Sequence, residues 1–180
     1  MKKVIVFLAD GFEDCEAIAT VDLLRRAGIE VTTASIMENR KVRSAHNIIV
    51  MADIMAQDAD FEAADMIILP GGGEGTENLK KSDLVAQQCK AFAGSKTVGA
   101  ICAAPTVLGG LGILKDRKAT CYPGCEPQLT GAQTVNSKVV VDGNIITGQA
   151  PGAAYEFALE IIKQLAGDEA SDAVRKAIVL

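Results

Sequence analysis

Apolar residues along this chain fall into two rhythms that take turns. Val4 to Leu8 is a short continuous apolar run, as in a strand buried on both faces, and from Glu16 to Ala27 apolar positions recur at helical spacing until Gly28. Glu30 to Ser35 is a β-branched strand, followed by a polar excursion through Glu38 to His46 before Ile48 to Met51 resumes extended character. Met66 to Leu69 is wholly apolar and bounded by Pro70 and three glycines, which predicts a central strand; a helix is expected over Thr76 to Ala93. Thr97 to Ile101 is the next strand, entering at Cys102 a helix with Pro105 in its first turn. Lys118 to Cys121 reads as a strand, and Asp142-Gly143-Asn144 between Val139–Val141 and Ile145–Thr147 is a hairpin signal. Tyr155 to Ala166 and Ser171 to Val179 close the chain as helices. The alternation predicts an α/β fold: a doubly wound parallel sheet with helices on both faces and an inserted antiparallel hairpin. With no linker, repeat or low-complexity tract, residues 1–180 read as a single domain.

Composition narrows the function. At 180 residues and 49% hydrophobic, the chain can bury a substantial core. The apolar run after Met1-Lys2-Lys3 stops at Asp10, too short for a secretory signal, and no stretch approaches the 18 or so apolar residues of a membrane span. A net charge of −5 with scattered Lys and Arg lacks the footprint of nucleic-acid binding and favours small neutral or cationic partners. Cys15, Cys89, Cys102, Cys121 and Cys125 are odd in number and irregularly spaced, which suggests free thiols in a reducing, cytoplasmic setting.

In doubly wound sheets the functional crevice lies beyond the carboxyl ends of the central strands. Three segments should meet there: Asp10 to Glu16, Pro70 to Gly75, and Cys102. Cys102, in Ala100-Ile101-Cys102-Ala103-Ala104-Pro105, sits where a nucleophile elbow would put it, strained and at a helix start that lowers its thiol pKa. The competing reading is an inert buried thiol. Of the carboxylates Asp10, Glu13, Asp14 and Glu16, most suit a solvated helix start; Glu16, flanked by Ala17 and Ile18, is the one placed to enter the crevice and stay protonated against sulfur.

Pro70-Gly71-Gly72-Gly73-Glu74-Gly75 lacks the Lys-Ser/Thr of a P-loop and the spacing of a dinucleotide fingerprint. It is either plain turn chemistry or a source of backbone N–H at the nucleophile, in which case Gly72 and Ala103 form the pair. The single histidine, His46, lies on no segment that obviously reaches Cys102, so a Cys–His hydrolase is disfavoured. Cys121 and Cys125 have no second pair to complete a zinc site, and no metal is expected.

The residues Ala9 to Glu16, Val21 to Ile29, Ile68-Leu69-Pro70-Gly71-Gly72, Ala100 to Pro105, and Pro151-Gly152 before Tyr155-Glu156-Phe157-Ala158 together resemble the DJ-1/ThiJ/PfpI superfamily, in the branch holding the Parkinson-disease-associated protein and its bacterial relatives. The resemblance spans nearly the whole chain. It implies a flavodoxin-like sandwich, usually a homodimer, with Cys102 as nucleophile, Glu16 as protonated carboxylate, and Gly72 and Ala103 as oxyanion donors. It also implies ready oxidation of Cys102 to a sulfinic acid, and it puts Arg26 and His46 near the dimer interface and the site mouth, His46 standing where many members carry arginine. Ala103 stands where the protease-like branch has histidine. Tyr122 stands where other members have a histidine held to assist glyoxalase chemistry, leaving Tyr122 as a proton relay and, with Pro151, as pocket wall. The implied activity is cofactor-free glyoxalase or deglycase chemistry on glyoxal, methylglyoxal or their early adducts. The alternative is a redox-sensing, chaperone-like protein built on the same thiol. Thiazole-phosphate kinase or synthase work is disfavoured, since no phosphate-binding lysine is in view.

Overall fold

A computed structural model describes residues 1–180. The chain runs β1 (Lys3–Leu8), α1 (Asp14–Arg26), β2 (Glu30–Ser35), β3 (Lys41–Arg43), β4 (Ile49–Met51), β5 (Ile54–Met55), β6 (Met66–Leu69), α2 (Gly73–Lys81), α3 (Asp83–Ser95) and β7 (Thr97–Ile101). It continues with α4 (Pro105–Gly110), β8 (Lys118–Ala119), β9 (Gln133–Thr134), β10 (Val139–Asp142), β11 (Ile145–Gly148), α5 (Ala154–Ala166) and α6 (Asp168–Ala177). Seven strands form the main sheet in the order β10-β11-β7-β6-β1-β2-β5, parallel throughout except at β10–β11. This is the flavodoxin-like α/β sandwich expected.

Past their first residues, Lys3 of β1 and Thr97 of β7, the central strands β1, β6 and β7 carry no polar side chain, because both faces are covered. On β1, Val4, Val6 and Leu8 enter one core while Ile5 and Phe7 enter the other; on β6, Met66 and Ile68 divide from Ile67 and Leu69 in the same way. That split is the period of two made physical. On the first face, α5 buries Ala154, Phe157, Ala158, Ile161 and Ile162, spaced by three and four residues. Phe157 rests on β7 and β11 where both are glycine: a Cβ on Gly99 or Gly148 would stand 3.2 or 3.0 Å from its ring. On the second face, α3 delivers Val85, Cys89 and Phe92. Burying each of the larger ones, Phe157, Ile161, Ile162, Val85 and Phe92, contributes about 1.5–3 kcal/mol.

Three expectations are corrected. The helix drawn from Thr76 to Ala93 is two, because Ser82 adopts an extended backbone and its hydroxyl accepts a hydrogen bond from the Val85 N–H at 3.3 Å, capping α3. The hairpin is no insertion: β11 is a full parallel neighbour of β7, and β10 is the sheet's antiparallel edge. The expected strand over Lys118 to Cys121 shrinks to Lys118–Ala119, paired with Gln133–Thr134. The polar excursion after β2 is a small antiparallel ribbon, β3–β4, that docks on the loop after β1. Gly11 N–H donates to Arg43 O at 2.7 Å, Ala45 N–H to Phe12 O at 2.8 Å, and Arg43 N–H to Asp10 Oδ1 at 2.8 Å. No helix is long and apolar enough to cross a membrane.

Candidate active site

Strand order reverses at β1 and β6, since β2 and β5 lie to one side of β1 while β6, β7 and β11 lie to the other. The ends of β1, β6 and β7 therefore open into one crevice. β7 delivers Cys102 in a left-handed backbone conformation, φ +66°, which costs a residue with a Cβ roughly 1–2 kcal/mol. Two hydrogen bonds hold it there: Cys102 N–H donates to Gly148 O at 2.9 Å, and Tyr122 N–H donates to Cys102 O at 2.8 Å. α4 begins only at Pro105, after a turn at Ala103 and Ala104.

Glu16 comes from the first turn of α1 and is 1% exposed. Its Oε2 accepts the Gly71 N–H at 2.7 Å and its Oε1 has no hydrogen-bond partner, while the carboxyl as a whole is close enough to the Cys102 thiol for each to shift the other's pKa. Burial raises the Glu16 carboxyl to about 7, further lifted by the charge of Glu13, against hydrogen bonds from Cys102 and Gly71. Packing is close enough that a Cβ on Gly71 would stand 2.6 Å from Cys102 Cβ and 2.6 Å from Glu16 Oε2. Gly72, at φ +90°, turns its N–H toward the sulfur, as does Ala103; neither amide is used by a backbone carbonyl.

The lowered thiol pKa expected of Cys102 is not what this environment produces. Burial, then the Glu16 carboxylate beside it, push the thiol up, while the Gly72 and Ala103 N–H groups pull it down. The helix invoked for the lowering starts three residues later and is only six residues long. At neutral pH the Glu16 carboxyl, raised to about 7, titrates while the raised Cys102 thiol keeps its proton; of the two arrangements, thiol with carboxylate and thiolate with carboxylic acid, burial and the Glu16 charge favour the first. The two amides favour the second form.

A model of the DJ-1/PfpI family matches residues 2–164. The chain belongs to the DJ-1/PfpI family. It is 38% identical to Protein dj-1beta of Drosophila melanogaster, over 99% of this chain and 97% of that protein, and superimposes on its crystal structure with a TM-score of 0.95, covering 99% and 98% of the two chains. It is 33% identical to the Glutathione-independent glyoxalase DJR-1.2 of Caenorhabditis elegans, over 93% of this chain and 90% of that protein. A structure of oxidized DJ-1 from Toxoplasma gondii, 33% identical, aligns with a TM-score of 0.95 over 99% and 98% of the two chains.

In this DJ-1/PfpI chain the fold brings together Cys102, Glu16, Gly72 and Ala103, and leaves other sequence candidates farther off. Tyr122 is tied to the elbow through its backbone; its ring is half-exposed and its hydroxyl makes no hydrogen bond. Pro151 opens a 3-10 turn just after Gly148, at the edge of the crevice. Arg26 is not at the site mouth: it lies ten residues along α1 from Glu16, about 15 Å away, and its Nε binds Asp22 Oδ2 at 2.8 Å. His46 sits at the rim on the β3–β4 turn, its Nδ1 2.7 Å from Asp14 Oδ2, while the Ser44 hydroxyl binds the other oxygen of Asp14. The Asp14 partner and the neighbouring Glu13 charge raise the His46 pKa. Glu13, Asp14 and His46 bring three ligand-type atoms within 4.8 Å of one another, the one group in the structure with that property, and two of them are already paired. Gly71 and Asp14 were not singled out from the sequence. The glycine run was a signal for the first; the second depends on Ser44 and His46, 30 and 32 residues distant.

Proposed function

We propose that this protein is a cofactor-free glyoxalase or deglycase that uses Cys102 on methylglyoxal, glyoxal or their early adducts. The observation that carries the reading is the buried Glu16 carboxyl, raised to about 7, set beside the Cys102 thiol and two free amides, Gly72 and Ala103. Glu16 carboxylate takes the thiol proton as sulfur attacks the aldehyde carbon; the carbonyl π pair moves to oxygen, where the two N–H groups receive the alkoxide. Protonation gives a hemithioacetal. Removal of the C1 proton and its return at C2 yields a 2-hydroxyacyl thioester, and water releases lactate and the free thiol. The balance is methylglyoxal plus water to lactic acid, with no oxidant, metal or cofactor. A relative named for this chemistry, the Glutathione-independent glyoxalase DJR-1.2 of Caenorhabditis elegans, supports the class of activity.

The purified protein is expected to convert methylglyoxal to lactate without glutathione, read by following lactate enzymatically. Absence of lactate from protein whose Cys102 is verified as reduced would overturn the reading. It would favour instead a redox-sensing, chaperone-like role, in which the same amides and the Glu16 carboxyl accommodate the oxygens of a sulfinic acid on Cys102.

A homodimer is part of this proposal. Ile18 on α1 and Ile48, Ile49 and Met51 on the adjoining ribbon are 47%, 55%, 51% and 61% exposed, an apolar face of the kind that self-association covers. Sedimentation equilibrium should give twice the 18.8 kDa chain mass; a monomer at micromolar concentration removes this part of the reading.

A further inference from the structure

We propose that Glu13 sets the charge selectivity of the site: Cys102 is open to uncharged carbonyl compounds, or ones borne on protonated amines, and screened from those carrying a carboxylate or phosphate. The substrate classes rest on the carbonyl chemistry proposed above; the selectivity of the thiol does not.

Glu13 is set into the crevice by its backbone. Its N–H donates to Gly71 O at 3.0 Å, and Gly72 packs so tightly on this stretch that a Cβ there would stand 2.8 Å from Glu13 N. One residue's thickness of chain separates Glu13 from the amide that faces the Cys102 sulfur. Its carboxylate is half-buried and forms no ion pair with Lys or Arg. The basic groups that approach this rim are already committed: Arg43 Nη2 to Glu74 Oε1 at 3.2 Å, and His46 to Asp14 at 2.7 Å. Taken together, Glu13, Asp14 and His46 carry −1 with the imidazole protonated and −2 with it neutral, so the rim is negative in either state. The field reaches inward, since the Glu13 charge helps raise the Glu16 carboxyl. No cation is among the groups that shift Cys102 or Glu16; a carboxylate or phosphate on a substrate would meet no counter-charge there.

Alkylation of Cys102 by iodoacetamide and by iodoacetate tests this without any turnover. Both reagents consume the same thiolate, so the ratio of their rate constants cancels the thiol pKa and reports the local potential. The rates are followed on the Cys102 peptide by mass spectrometry and normalised to an uncharged small thiol. Wild-type protein is expected to favour iodoacetamide by on the order of tenfold beyond the free thiol. The excess should shrink several-fold in Glu13→Gln, shrink with added salt, and grow in His46→Gln. A wild-type ratio equal to the free thiol, or one unmoved by Glu13→Gln while salt still acts, overturns the proposal. The salt series on wild-type protein keeps it falsifiable should a variant misfold. Selectivity without any lactate formation would sink the proposed activity and leave this inference standing; lactate formation without selectivity would do the reverse.

Discussion

Cys102→Ser is expected to bring lactate formation from methylglyoxal to the buffer rate, a loss of about three orders of magnitude or more. Serine keeps the size of the side chain and the left-handed turn at φ +66°, and the backbone bonds to Gly148 and Tyr122 are untouched, so the fold should survive. What changes is the proton. The Glu16 carboxylate can take a proton from a thiol as it attacks, whereas a hydroxyl, a far weaker acid, keeps its own beside a carboxyl raised to about 7. The amides of Gly72 and Ala103 remain in place but have no attacking sulfur to assist. Lactate assays on wild type and variant at equal concentration, with melting curves to verify folding, decide the matter. A variant that keeps a tenth of the wild-type rate would remove Cys102 from the chemistry.

Glu16→Gln is expected to flatten the dependence of stability on pH between about 4.5 and 7. In the folded chain the carboxyl is raised by burial from 4.5 to about 7, so the folded state holds a proton that the unfolded state releases. Its contribution is therefore fully present below about pH 4.5 and is lost as pH rises through about 7. A shift of this size corresponds to about 3 kcal/mol. The carboxylates held below their usual range, Asp14, Asp53 and Asp65 among them, act in the opposite sense: their stabilisation is present at neutral pH and lost as pH falls below about 3.8. Glutamine still offers an oxygen to the Gly71 N–H but cannot ionise, so the difference between wild-type and variant urea curves across a pH series isolates Glu16. Parallel profiles would mean that the carboxyl is not the buried, protonated group described. The same variant should lose turnover, because its amide cannot take the thiol proton.

The site was legible in the sequence to the degree that its parts are local. A continuous apolar run ending at Cys102, small neighbours and Pro105 three residues on are enough to foresee a sharp turn, and φ +66° is that turn. The run of glycines told of close backbone approach without telling which amide did what: Gly72 faces sulfur, while Gly71, one residue earlier, serves the carboxylate. The α2–α3 break was visible in Ser82-Asp83 after Lys80-Lys81 yet hidden by the helical apolar pattern that continues across it. Arg26 shows the limit of resemblance: its place in the motif near Gly28 says nothing of distance, and helix geometry carries it away from the crevice.

The sequence by itself determined the α/β order, the two-sided burial of β1, β6 and β7, and the convergence of three strand ends, because periods of two and 3.6 and turn residues act through near neighbours. Only the tertiary structure decided the electrostatics. Glu16 and Gly71 are 55 residues apart, and Asp14 and His46 are 32 apart. A pKa is set by what desolvates a group and which charges face it, and those partners are brought together by the folded sheet. That is why the thiol expected to be lowered at a helix start is instead raised by burial and by Glu16, a carboxyl that the fold brings to it from α1.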